Sequence, residues 1–141
     1  MNQIMESKTA RDIMRPTTVA LRRKMSLDRV SDHLTKHGIP GAPVVNIEGE
    51  LIGYVSEYDC LKALMQSSYY HENSDLVEDV MSTTPIMTTP DITTIDLAEQ
   101  FNENKVNVMP VVENGKLVGA VSRGDIMRAL IKDLETVQTP V

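Results

Sequence analysis

The 141-residue chain has no tryptophan, one phenylalanine, four tyrosines and a single cysteine, Cys60. With so few aromatics, its interior must be built from aliphatic side chains and from nine methionines, which adapt to irregular gaps and to interfaces. One cysteine closes no intrachain disulfide, which fits a reducing compartment. Basic residues are scarce too: 14 Lys and Arg stand against 20 Asp and Glu, a formal charge of −6. Such a chain lacks the electrostatic footprint of a nucleic-acid binder, and it has little for single strands to stack on. No run approaches the ~20 apolar residues of a membrane span, and no basic amphipathic stretch suits a membrane surface. No signal-peptide-length apolar run opens the chain. The expectation is a cytoplasmic protein that engages neither nucleic acid nor membrane.

Catalytic signatures are missing as well. There is no Gly-x-x-x-x-Gly-Lys loop for P-loop hydrolysis. Cys60 lies in an apolar helical run, the setting of an inert structural thiol. His33 and His37 stand four apart on a helix beside Asp32, a spacing that can hold a metal. Gln100 and Asn104 take their places in the second half, so a surface helix face is the reading and no metal is expected.

What the chain does have is a duplication. Asp12-Ile13-Met14 aligns with Asp79-Val80-Met81 at an offset of 67 residues. The same offset pairs Thr17 with Thr84, Leu34 with Phe101, and Pro43-Val44-Val45 with Pro110-Val111-Val112. One residue then drops out in a turn, and at an offset of 66 Gly53 meets Gly119, Ser56 meets Ser122 and Asp59 meets Asp125. A single gap falling in a turn is what a duplicated gene would leave. The expected organisation is repeat 1 over 9–66, a polar linker over 67–75, repeat 2 over 76–134 and a loose tail over 135–141.

Each copy has the same pattern of elements. A helical lead-in (9–14; 76–81) precedes a short strand (18–21; 85–88) and a helix (26–37; 93–104) with Ser26 or Thr93 as N-cap. Leu27, Val30 and Leu34 recur at spacings of three and four, an apolar stripe, and Gly38 ends the helix. Two apolar strands follow (42–47 and 51–56; 108–113 and 117–122), joined in the second copy by Asn114-Gly115, a strong hairpin signal. A last helix begins after Ser56 or Ser122. The fold class is therefore α/β (α+β): two βαββα repeats. One copy is too small to bury much core alone, so the two are expected to pack through their sheets with pseudo-twofold symmetry, leaving paired clefts.

Ser56-x-x-Asp59 and Ser122-x-x-Asp125 stand where a strand becomes a helix. Free N–H groups and the positive dipole end at such a place suit a phosphate. The carboxylate, with two acceptor oxygens, suits the two hydroxyls of a ribose. The same four residues also spell a capping box, in which the acid only satisfies orphan amides. Both uses remain open.

Pro-Val-Val, a turn, then Leu-Ile/Val-Gly-x-Val-Ser-x-x-Asp and an amphipathic helix, present twice, resembles the cystathionine-β-synthase-type (CBS) domain. The likeness covers nearly the whole chain, and it is greatest to small proteins made of one CBS pair, a Bateman module. That resemblance implies a non-catalytic regulatory module binding AMP, ADP, ATP or S-adenosylmethionine between its repeats. Ser56, Asp59, Ser122 and Asp125 would hold ribose and phosphate. Thr17, Thr18 and Val19 with Ala42 and Pro43 would receive adenine in one copy, and Thr84, Pro85 and Ile86 with Met109 and Pro110 in the other. Val19, Ile86 and Met109 are also ordinary core residue types. The resemblance further implies homodimerisation, for which the apolar repeat-terminal helices are suited, and an unidentified regulated protein. A ligand-free scaffold is the main alternative; a nucleotide-processing enzyme is a weaker one.

The copies differ in charge. Arg123 follows Ser122, whereas Glu57 follows Ser56; Gly124 gives close backbone access where the first copy has Tyr58. The Ser122, Arg123, Asp125 site should be the better for an anion. Arg22-Arg23-Lys24, the only basic run, is either a solvated loop or a phosphate-facing rim.

Overall fold

The computed structural model describes residues 8–17, 19–70 and 75–138. It divides into two compact units that cut across the sequence repeats. Among the described residues, unit 1 holds those up to Thr17, then Ile86–Asn114 and those from Val118 onward; unit 2 holds the described part of 18–85 together with Gly115–Leu117. Each repeat therefore contributes its lead-in to the other repeat's body.

In unit 2, α2 (Leu27–His37), β1 (Gly41–Val45), β2 (Leu51–Ser56) and α3 (Glu57–Tyr70) follow in order, and α4 (Val77–Val80) joins them from the second lead-in. Ser26 enters α2 extended, and Gly38 leaves it at φ 62°, a left-handed geometry that costs glycine no steric penalty. The α2 stripe of Leu27, Val30 and Leu34 is buried against Val44, Val55, Cys60 and Ala63, with Val77 of α4 completing the core. Burial of each large side chain contributes about 2 kcal/mol. Strands β1 and β2 pair antiparallel, with a register shift between Val44 and Val45 just before the longer turn.

Unit 1 repeats the plan with α5 (Thr94–Asn104), β3 (Val108–Glu113), β4 (Lys116–Ser122, from Val118 onward) and α6 (Arg123–Gln138), joined by α1 (Ala10–Ile13). The Thr93 hydroxyl accepts the Asp96 amide at 3.2 Å to cap α5. Asn114 at φ 53° and Gly115 at φ 82° make the tight hairpin turn that their sequence announced. Leu97, Phe101, Met109, Val111, Val121 and Ile126 form the core with Ala10 of α1.

The lead-ins are tied down by backbone. In unit 1 the Ala10 and Arg11 amides donate to Ile92 and Pro90 carbonyls, both at 2.9 Å. Arg15 then exchanges two hydrogen bonds with Ala120, at 2.9 and 3.0 Å. In unit 2 Ser82 makes the same exchange with Tyr54. This crossing explains the glycine of each Leu-Ile/Val-Gly motif. A Cβ on Gly119 would lie 2.9 Å from the Arg15 carbonyl oxygen and 2.8 Å from Met14 Sδ; on Gly53 the Ser82 carbonyl would be 2.9 Å away.

Three expectations are corrected. The short strands at 18–21 and 85–88 shrink to single parallel bridges, Leu21 to Val44 and Thr88 to Val111. Their ladders stop because the next donors toward the N-terminus would be the amides of Pro43 and Pro110, and proline has none. The linker begins later, since α3 runs on through Tyr70. The tail is helical as far as Gln138.

Candidate functional site

Both Ser-x-x-Asp motifs form capping boxes. In unit 2 the Ser56 amide donates to Asp59 Oδ2 at 2.9 Å, and the Asp59 amide donates to Ser56 Oγ at 3.1 Å. In unit 1 the Ser122 amide donates to Asp125 Oδ2 at 2.9 Å, and the Asp125 amide to Ser122 Oγ at 3.1 Å. The first helical amides are taken too: Glu57 donates to the Pro40 carbonyl and Arg123 to that of Asn107. These helix ends thus offer fewer free N–H groups than the motif suggested. The amide between the two occupied ones belongs to Tyr58 in one unit and to Gly124 in the other.

The two carboxylates then part company. Asp125 Oδ1 accepts from Arg15 Nε at 3.0 Å and from an Arg128 terminal nitrogen at 2.7 Å. The acid side chain is 6% exposed, whereas the two arginines are 68% and 64% exposed. Asp125 is thus an inner carboxylate with two guanidiniums on its solvent side. Burial alone would raise its pKa, but hydrogen bonds from Ser122 and Arg128 and the charge of Arg15 outweigh that and hold it below the usual carboxylate range. In unit 2 the residues equivalent to Arg15 and Arg128 are Ser82 and Lys62. Asp59 accepts instead from the Ser56 hydroxyl at 3.0 Å.

Neither arginine stands out in the sequence. Arg128 could have been found, since it lies three residues beyond Asp125 on one helix face. Arg15 could not, because it arrives from 110 residues away through the exchanged lead-in.

The remaining expected residues are dispersed. Thr17 belongs to unit 1, with Ser122, Asp125, Met109, Pro110 and Ile86; Thr84 and Pro85 belong to unit 2, with Val19, Ala42, Pro43, Ser56 and Asp59. The Thr17 hydroxyl is buried without a hydrogen-bond partner, an uncommon state for a native polar atom and one that a ligand could relieve. Met109 and Ala42 are core residues, 0% and 1% exposed, so only their backbone is available to a base edge. Ile86 is exposed, and Val19 lines a hollow of about 420 Å³ with Met25, Arg29 and His33. Thr18 lies outside the described residues.

Arg22 and Arg23 are exposed and line a shallow hollow of about 510 Å³ over Val45 and Ile52, while Lys24 pairs with Glu78 at 2.6 Å. His33 and His37 stack with ring centroids 4.3 Å apart, and among the described residues no group of three or more potential ligands could hold a metal. The Cys60 thiol is buried, and burial pushes its pKa up, the reverse of an activated nucleophile. Among the described residues no helix is long and apolar enough to cross a membrane.

Comparison with known proteins agrees with this layout. The CBS domain family matches residues 10–66 and 77–132. The structure of CBSX2, a CBS-pair protein from Arabidopsis thaliana, in complex with AMP is 28% identical, with a TM-score of 0.78 over 89% of this chain and 97% of that one. The CBS domain pair of protein MJ0100, in complex with 5′-methylthioadenosine and S-adenosylmethionine, is 25% identical, with a TM-score of 0.73 over 87% and 99%. Protein MJ1426 of Methanocaldococcus jannaschii is 30% identical over 86% of this chain and 90% of its own length. Other curated relatives are longer: the chain spans 44% of one and 15% of another. With two matched domains covering most of its length, the chain belongs to the CBS domain family as a tandem CBS pair.

Proposed function

We propose that this protein is a non-catalytic regulatory module that binds an adenosyl ligand and passes its occupancy to a partner through a conformational shift. The observation that carries the reading is the Asp125 site. There a carboxylate suited to sugar hydroxyls, a serine hydroxyl and arginines suited to phosphate stand at one helix start, in a fold whose relatives have been seen with AMP, S-adenosylmethionine and 5′-methylthioadenosine. The buried, unpaired Thr17 hydroxyl, from the lead-in that brings Arg15, supports a ligand in the same unit. An adenosine ligand would stabilise the native state through mass action, by about 2.7 kcal/mol at a concentration 100 times its Kd. Thermal melts against AMP, ADP, ATP, S-adenosylmethionine and 5′-methylthioadenosine test this. A midpoint that no compound moves removes the reading and leaves the ligand-free scaffold.

Self-association through the terminal helices is the second part of the proposal. On α3, Leu61, Met65, Tyr69 and Tyr70 are exposed, and on α6, Met127, Ile131 and Leu134. Each helix thus carries an apolar face beyond what its own unit covers, the composition expected of an interface. The regulated protein is a separate chain or a fused domain, as the longer relatives suggest. Sedimentation of wild type against Met65→Glu and Ile131→Glu tests the dimer; an unchanged sedimentation coefficient overturns it.

A further inference from the structure

We infer that Arg15 and Arg128 make the Asp125 site selective for adenosine that carries a phosphate over adenosine that does not. The inference rests on the proposed adenosyl-binding function and deepens it. In the ligand-free site Asp125 Oδ1 already receives two charge-assisted hydrogen bonds, at 3.0 and 2.7 Å. Its other oxygen is held by the Ser122 amide at 2.9 Å. A ribose that donates its hydroxyls to this carboxylate has to share it with, or displace, guanidiniums that stand on its exposed side.

A neutral adenosine derivative has nothing to give those guanidiniums in exchange. It would exchange ion-pair hydrogen bonds for hydroxyl-to-carboxylate ones and leave each displaced guanidinium without an anionic partner. A phosphate supplies the missing acceptor. Arginine binds phosphate through paired N–H groups as it binds carboxylate, so Arg15 and Arg128 can pass from one anion to the other without losing a partner. Arg123, the first residue of α6, adds a further positive charge. S-adenosylmethionine, whose net charge is positive and whose sulfonium stands on the sugar carbon that carries the phosphate in AMP, is disfavoured by the same three charges. The unit 2 site lacks the arrangement: Ser82, Glu57 and Lys62 occupy the equivalent positions.

The test is calorimetric titration of the full chain with AMP and with 5′-methylthioadenosine, for wild type, Arg15→Gln, Arg128→Gln and Arg15→Lys. Wild type should prefer AMP by roughly ten- to a hundredfold, the worth of one or two charged hydrogen bonds. Arg15→Gln should cut that preference while leaving 5′-methylthioadenosine binding equal or tighter, because the carboxylate is freed. Arg15→Lys, which keeps the charge, should retain part of it. Melting curves and far-UV dichroism of each variant show that it is folded. If wild type binds both compounds equally, or if Arg15→Gln weakens both alike, selectivity by the arginines is overturned while adenosyl binding stands. If wild type binds neither, the proposed function itself fails and this inference with it.

Discussion

The two units carry the same loop-to-helix motif with opposite surroundings. In unit 1 an aspartate lies under two arginines, and a third arginine opens the helix; in unit 2 the aspartate has a glutamate at the helix start and hydrogen-bonds to its own serine. The two share a frame: each hairpin is crossed by a lead-in, each crossing needs a glycine, and each serine and aspartate close the same box. Duplication has preserved the frame and let charge diverge on it. The box alone is therefore a structural device, and what makes one copy a candidate anion site is the ring of side chains that the other copy lacks.

The sharpest way to break this comparison is to remove each acid in turn. Asp125→Ala should weaken AMP binding by about a hundredfold, since it deletes the sugar acceptor and leaves the arginines without their anchor. Asp59→Ala should change it far less. A titration in which Asp59→Ala abolishes binding and Asp125→Ala does not would reverse the assignment. Next in size are the glycines. Gly119→Ala and Gly53→Ala should each cost about 1–3 kcal/mol, because the added methyl meets a methionine side chain that can shift and, behind it, a backbone carbonyl that cannot. Urea unfolding should show similar losses for both, yet only Gly119→Ala should also erode the preference for AMP, because only there does the blocked strand carry Arg15.

Much of this frame was legible beforehand, for identifiable reasons. The α2 stripe, the Gly38 terminus and the Asn114-Gly115 turn are local: each is decided by residues within one turn or one hairpin. The Ser-x-x-Asp boxes are local too, which is why their capping role could be foreseen as one of two uses. The exchange of lead-ins was not legible. Nothing in residues 9–14 tells whether Ala10 fills a cavity beside Val30 or beside Leu97, because both repeats offer similar apolar surfaces. Arg15 was missed as a consequence, since its role is created by that exchange. The over-long first strands were missed for a smaller reason: Val19 and Ile86 have strand-forming side chains, but the proline opposite them ends the pairing.

Acid should separate the sites in another way. The Asp125 carboxyl titrates below its ordinary value in the folded protein. The stability it contributes is therefore complete above the ordinary carboxylate range, about pH 4, and is lost as pH falls through the depressed value. Wild type should exceed Asp125→Asn in stability at neutral pH and approach it in acid. Because Arg15 and Arg128 are largely exposed, added salt should narrow the neutral-pH gap. Denaturation midpoints for the two proteins that stay parallel from pH 7 down to pH 3 would show that Ser122, Arg128 and Arg15 together do not hold this carboxyl below its ordinary value.

The smallest expected effect is a gain. If charge, and not backbone, distinguishes the units, then giving unit 2 the helix-opening arginine of unit 1 should move it part of the way. Glu57 is exposed and donates only its backbone amide, to Pro40, so Glu57→Arg leaves the capping box untouched. It replaces a repulsive charge by an attractive one at the first turn of α3, where such changes are worth roughly 0.3–1 kcal/mol each. A two- to tenfold rise in AMP affinity at a second, weaker site is the expected calorimetric result. No rise would mean that Ser82 and Lys62, which stand where Arg15 and Arg128 do, withhold the acceptor-for-phosphate exchange that a single exposed charge at the helix start cannot replace.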